Sequence, residues 1–461
     1  MKPRDASLFQ DPHRAWEPYQ PSPEVPWDAA RAAHLHRRAG FGATWGQLQR
    51  DVSEGIEPSL RRVLDGESQG PGAQSAADFD ETVEAMRQSF VRRPAMARVA
   101  LIWIYRLIHS PHPLAEVMTL AWHSHYATSQ AKVDSPERML DQNLVFRKNW
   151  RAPISTLHKA ILSDAAMLRW LDGLDSTKTT PNENLAREFL ELFALGVGNY
   201  DEHDVRETAR AFTGWRQTNY SPLAAAMEAD DHDPGSKTIL GQTGNWGQDD
   251  VVRIACGRPA AAEHVARRLY RTFIADVEEP SRELIAPLAD AMRLNDDVDV
   301  ARGIELILRS RLFQSDECRG KSVKSPATLA VGAIRACEAF HPPVDPDALE
   351  IHLTRMGQRL FYPPSVAGWR GGLGWLSGST VLARANFAAW LTGPSSGLSP
   401  RHFQDLADRY GWTSPEARLS AFETLLLAAP IGSDSREQLR NLTDPAQVVR
   451  TLLSIPEGQA G

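Results

Sequence analysis

Prolines and small polar residues stand just ahead of apolar runs of helical period along almost the whole chain, and this punctuation constrains the fold more than any other feature. Proline has no N–H and a φ of about −65°, so the first helical position is where a helix accommodates it. Pro113, Pro136 within Ser135-Pro136-Glu137, Pro153, Pro259, Pro280 and Pro326 each open such a run. Asp28, Thr44 and Asp201 are placed as N-caps, and Gly40 as a stop. Residues 79–109 read as a helix broken at Pro94, 114–128 as one helix, and 182–195 as a strong helix ended by Gly196 and Gly198. The pattern predicts a mainly α fold, a large multi-helix domain.

Two stretches depart from that period. Between 213 and 247 the sequence becomes turn-rich with short β-like runs, which predicts a small β-hairpin or irregular excursion. Residues 361–379, FYPPSVAGWRGGLGWLSGS, form a glycine-rich loop carrying Trp369 and Trp375. Residues 1–26 are rich in proline and polar side chains and read as an extended arm. A helical core is expected over 27–394, with a C-terminal helical extension, 395–461, packed on it.

Composition narrows the function classes. The net charge is −7, with both signs interspersed and no basic tract, so no nucleic-acid partner is expected. Cys256, Cys318 and Cys337 are too few and too scattered for a disulfide framework or a zinc knuckle. The first residues hold no apolar signal-like run, so the cytoplasm is the compartment expected from the sequence as it stands. No transmembrane segment is expected either: the most apolar stretch, 99–108, is interrupted by Arg106. There is no P-loop, Rossmann fingerprint, Gly-x-Ser-x-Gly elbow or His-Glu-x-x-His, so no nucleotide cofactor is expected. Most of the 13 tryptophans fit core packing, with substrate stacking as the sharper alternative.

Three polar constellations could carry chemistry. His123 and His125 are two residues apart, which on a helix separates the rings by about 200°, so one at most need face a site. Asn184, Glu188 and Glu191 fall on one helix face beside the stripe of Leu185, Phe189 and Leu192. Two carboxylates one turn apart repel unless a cation lies between them, either a metal or an arginine such as Arg187 or Arg210. Glu183 and Arg187 make an i,i+4 pair. The run from Asp230 to Lys237, with His232 and Asp233, offers ligands, a base and an ammonium, although Asp-Pro-Gly also makes a simple turn. Arg37 and Arg38, before Gly40-Phe41-Gly42, read as a favourable helix end or as guanidinium groups for an acidic ligand.

The segments HLHRRAGFGAT, MTLAWHSHYAT, PNENLAREFLELFALGVGNY, ARAFTGW, HDPGSKTILG, VKSPATL, MGQRLFYPPSVAGWRGGLGW and LARANF occur in this order between His34 and Phe387. Together they resemble the bacterial family catalogued as domain of unknown function 1800. The resemblance implies a large helical domain, export in many members, and a co-encoded partner of sulfatase-like or phosphatase-like character. This chain departs from it in showing no signal peptide, and the family hands down no catalytic residues.

The leading expectation is a metal-dependent hydrolase or oxidoreductase acting on an unknown substrate. Its site would lie where the 114–128 helix, the 183–195 helix and the 230–237 loop meet. The expected ligands are His123, His125, Glu188, Glu191 and His232, a set that suits iron, zinc or manganese. Asp233 or Glu183 would act as base, and Lys237 or Arg187 would stabilise an anion. The alternative is a non-catalytic binding or scaffold protein for surface glycans or a partner enzyme, with Trp215 and the Trp369–Trp375 loop as contact platforms.

Overall fold

The computed structural model describes residues 7–218 and 225–461. Of the expected arm residues 1–6, and of the expected excursion residues 219–224, lie outside the described residues.

The helix signals act where the sequence puts them. Asp28 accepts from the Arg31 N–H and caps the helix Ala29–Gly40. Thr44 and Gln47 form a capping box on Trp45–Glu54, and Asp201 and Asp204 form one on Glu202–Ala211. Pro113, Pro136, Pro259 and Pro326 occupy the first turns of their helices. Two details differ. Pro280 stands outside its helix, because the Ser281 hydroxyl, which can accept from the Leu284 N–H, takes the cap of Arg282–Met292. Gly40 is still helical, and the left-handed residue that ends the helix is Phe41, with φ of 64°.

The stretch read as one helix over 182–195 is α-helical only across Glu183–Glu188 and continues as a π-helix over Phe189–Ala194. In that wider turn Phe189, Leu190, Phe193 and Ala194 are all buried. Such segments are short and concentrate at functional sites.

The mainly α fold with a small β excursion is what forms: 26 α-helical segments among the described residues against three two-stranded antiparallel pairs. Two of the pairs make up the 213–247 excursion. Trp215–Gln217 pairs with Ala225–Met227, and Lys237–Ile239 with Gln242–Gly244. The third, Arg293–Leu294 with Asp297–Val298, is too short to show alternation in the sequence. Along the N-terminal arm, Pro12–Trp16 is helical, Ala15 is fully buried, and the Trp16 indole donates to the Leu284 carbonyl at 2.7 Å.

The buried apolar residues form two clusters. Ala29–Gly40 contributes Leu35 and Ala39 to one, and Ala32 and Ala33 to the other. Pro113–His125 likewise gives Met118 and Trp122 to the first and Leu120 to the second. These two helices, with Pro136–Lys148 and Ala165–Trp170, are therefore shared between the cores. Trp103 and Trp122 are 1% and 0% exposed, as core packing requires, and all three cysteines are buried and free. Among the described residues no helix is long and apolar enough to cross a membrane.

Candidate functional site

The helix Pro113–His125 sends its two histidines different ways. His123 is 1% exposed among Trp103, Phe361 and Trp369, its ring centroid 5.3, 5.5 and 5.6 Å from theirs. Its Nε2 is buried without a partner among the described residues, and burial lowers its pKa to about 3. His125 points to the π-helix, with Nε2 3.1 Å from the Phe193 carbonyl and its ring 5.5 Å from that of His264. Burial, helped by Arg268, holds it neutral as well.

The PNEN segment is mostly paired. Arg187 bridges Glu183 at 3.1 Å and Glu202 at 2.6 Å on a partly exposed face. Glu191 accepts from the Tyr200 hydroxyl at 2.7 Å. Glu188 makes no side-chain hydrogen bond or ion pair among the described residues, and burial together with Glu191 raises its pKa.

The 230–237 loop satisfies itself. Arg210 donates to Asp233 at 2.7 Å and pairs with Glu207 at 3.0 Å, and the guanidinium hydrogen bond lowers the Asp233 pKa. Lys237 is 1% exposed and turns back on its own loop, donating to the carbonyls of Asp233 at 2.6 Å and Gly235 at 2.9 Å. His232 Nδ1 lies 3.0 Å from the Thr213 carbonyl. The fold thus brings Arg187 to Glu183, Lys237 to Asp233 and Glu188 towards Glu191. It leaves His123, His125 and His232 in separate surroundings. Among the described residues no three His, Cys, Asp or Glu side chains are grouped to share a metal ion.

A different place collects the unpaired charge. Where the helices Ala29–Gly40, Pro113–His125 and Pro259–Phe273 meet the 361–379 loop there is a cleft of about 440 Å³. Five arginines line it, Arg37, Arg38, Arg268, Arg271 and Arg370, against two carboxylates, Asp276 and Glu279. Their charge reaches Arg38, beside Asp276, and Arg271, held by Glu279. Asp276 accepts from the Val323 N–H at 3.0 Å and the Gly372 N–H at 2.9 Å, and Glu279 holds Arg271. Arg38 donates to the carbonyls of Thr272 and Phe273 at 2.9 and 3.0 Å and to the Ser322 hydroxyl. Arg37 and Arg268 donate only to the carbonyls of Thr424 and Ala121, and the Nε of each is buried with no partner among the described residues.

Burial is the main cause of their lowered pKa values, about 9 for Arg37 and about 10 for Arg268, and neighbouring guanidinium groups add to it. Trp369 and Trp375, 9% and 7% exposed, wall the cleft, so they are not the open contact platforms expected under the scaffold reading. Trp215 is also partly buried and spends its indole N–H on Gln248 at 2.8 Å. Two backbone features hold the rim in shape. Phe41 keeps its left-handed conformation there, and a Cβ on Gly368, φ of 76°, would lie 2.2 Å from the Ser124 carbonyl oxygen.

The family model described as "Protein of unknown function (DUF1800)" matches residues 34–460. The chain belongs to the DUF1800 family. No curated protein and no solved structure matches it. The match takes in the helices that follow Pro394. Four of the eight DUF1800-like segments meet at the cleft: Arg37, Arg38 and Phe41 from the first, Ser124 from the second, Ser325 from VKSPATL, and Gln358 with Trp369 and Arg370 from the glycine-rich segment. The PNEN and HDPGSK segments do not line it. Arg268 and Arg271 escaped the sequence reading because VARRLYRTF looks like any amphipathic helix, and Asp276 lies just beyond it. The one signal is that Arg268 and Arg271 have no carboxylate at i±3 or i±4.

Proposed function

We propose that this DUF1800 protein is a binding protein whose arginine cleft holds an anionic ligand through carboxylate, sulfate or phosphate groups. The observation that carries the reading is the pair of Arg37, buried, and Arg268, half-buried with its Nε sealed from solvent, cations that meet carbonyls but no carboxylate among the described residues. An uncompensated buried charge is costly, and an anion that pairs with it relieves the cost. Guanidinium forks suit planar and tetrahedral oxyanions, and the tryptophan walls reduce competition from water. No side chain in the cleft is an unengaged base or nucleophile paired with a base, which favours binding over catalysis. A co-encoded sulfatase-like or phosphatase-like partner, as the family resemblance implies, would act on ligands of the same charge.

The test is calorimetry and thermal melting with sulfate, phosphate and malonate against chloride at matched ionic strength. At least one oxyanion is expected to bind saturably and raise the melting temperature, because a ligand that binds only the folded state adds stability. Equal response to chloride and to all three oxyanions would overturn the reading. Arg370→Ala, at an exposed position, should weaken binding without harming the fold.

A second reading keeps the metal-dependent hydrolase or oxidoreductase, with iron, zinc or manganese at Glu188 and Glu191. Its support is the Glu188 carboxyl, without a hydrogen-bond partner among the described residues, beside a second carboxylate. A metal-free protein makes an opposite pH prediction. With its folded pKa raised, Glu188 contributes stability that is present below its usual 4.5 and lost as pH rises through the folded value. Glu188→Gln should then be more stable than the parent at neutral pH and lose that part of the pH dependence. Elemental mass spectrometry separates the readings. About one equivalent of metal, lost in a Glu188→Ala, Glu191→Ala variant, supports the enzyme. Metal-free protein with the stabilised glutamine variant rejects it.

A further inference from the structure

The end of the PNEN segment, Leu195 to Asn199, and the start of the helix Pro259–Phe273 enclose a second cavity of about 490 Å³ that the arginine cleft does not include. Arg258, Arg267 and Arg282 line it with one carboxylate, Glu263, which is paired with Arg282 at 3.0 Å. Arg258 donates to the Leu240 carbonyl at 3.1 Å and Arg267 to the Pro280 carbonyl at 2.8 Å, so each keeps N–H groups to offer.

His264 lies among them, with Nε2 2.9 Å from the Leu192 carbonyl. A carbonyl only accepts, so the proton is on Nε2 and Nδ1 carries the lone pair. That nitrogen abuts the bare side of Gly196, where a Cβ would stand 3.2 Å away, and Gly196 itself lines the cavity. With φ of 81° this position favours glycine, so no side chain at 196 fills the space beside Nδ1. Burial, reinforced by Arg268, Arg271 and Arg267, lowers the His264 pKa, so the ring stays neutral and accepting at pH 7.

The cavity therefore presents cations together with a neutral hydrogen-bond acceptor. A bare oxyanion satisfies the arginines but sets an oxygen lone pair against Nδ1. An acid that also carries a hydroxyl satisfies both. We propose that this cavity binds a small hydroxylated acid, with its carboxylate or phosphate on Arg258 and Arg267 and a hydroxyl donating to His264 Nδ1. The site shares no lining residue with the arginine cleft and does not depend on the reading given to that cleft.

The test is nitrogen NMR of the histidine side chains in the full chain, with the His264 signal assigned by its loss in His264→Gln. D-Gluconate and glycerol 3-phosphate are the probes, and acetate and glucose the controls. At least one hydroxylated acid is expected to shift the Nδ1 resonance saturably, at least 10-fold more tightly than acetate or glucose. Which of the two does so identifies the acid. Arg258→Ala, at an exposed position, should weaken that probe at least 10-fold while the remaining histidine signals stay in place, and Arg267→Ala should do the same. Acetate as tight as either probe would reduce the site to ion binding, and no saturable shift with either probe would remove it. Either result overturns the proposal.

Discussion

Trp122→Ala is expected to cost about 3–5 kcal/mol of stability, because it empties the volume of the largest kind of core side chain and the surroundings relax only in part. Trp122 is fully buried and donates its indole N–H to the Trp150 carbonyl at 2.9 Å. The truncation adds an orphaned buried carbonyl to the cavity. Urea unfolding monitored by circular dichroism should show the midpoint fall with little change in slope. Trp122→Phe, which keeps most of the volume but not the donor, should cost less, about 1–3 kcal/mol. A loss under about 1 kcal/mol in the alanine variant would mean that the indole is not a core element. The effect should reach the cleft, since the same helix carries Ser124 and the Ala121 carbonyl that Arg268 meets.

Exchanging Arg268 for methionine should weaken oxyanion binding by about 30-fold or more. Removing one partner of a desolvated charge pair costs about 2–5 kcal/mol, and each 1.4 kcal/mol is about tenfold in affinity. The stability of the ligand-free protein should stay level or rise, because the folded chain no longer has to hold a half-buried cation without a carboxylate partner. That opposition of signs distinguishes a ligand-binding arginine from a structural one. A structural Arg268 would lose stability on substitution and leave affinity unchanged. Calorimetric titration with the tightest of sulfate, phosphate and malonate reads the first quantity, and urea unfolding without ligand reads the second. Arg370→Ala, at the exposed rim, should lose only several-fold, since solvent screens its interaction.

Much of the helical architecture was legible because its signals are local. Asp28, Thr44 and Asp201 need only a side-chain oxygen within three residues of an N–H to cap a helix, and they do so here. The split at Pro94 and the β excursion after Thr213 follow from the same short-range chemistry. Sequence spacing also anticipated that His123 and His125 would diverge, and that Glu188 and Glu191 would be in tension.

Local reasoning failed where an outcome depended on partners far along the chain. Lys237 and Asp233 look like catalytic groups in sequence. Arg210, more than 20 residues from either, pairs with Asp233, and the loop's own carbonyls hold Lys237. A regular helix over 182–195 was the natural expectation from its spacing, and a π turn with Phe189 and Phe193 buried in the core replaces its second half. The cleft is the fullest case. Arg37, Ser124, Arg268 and Arg370 span more than 300 residues of sequence, and each by itself is an ordinary helix-end or surface residue. By itself the sequence determined where many of the helices start, because caps and prolines act over a few residues. Only the tertiary structure decided which charges find a counter-charge and which are buried without one, because that depends on which helix ends meet across the two cores.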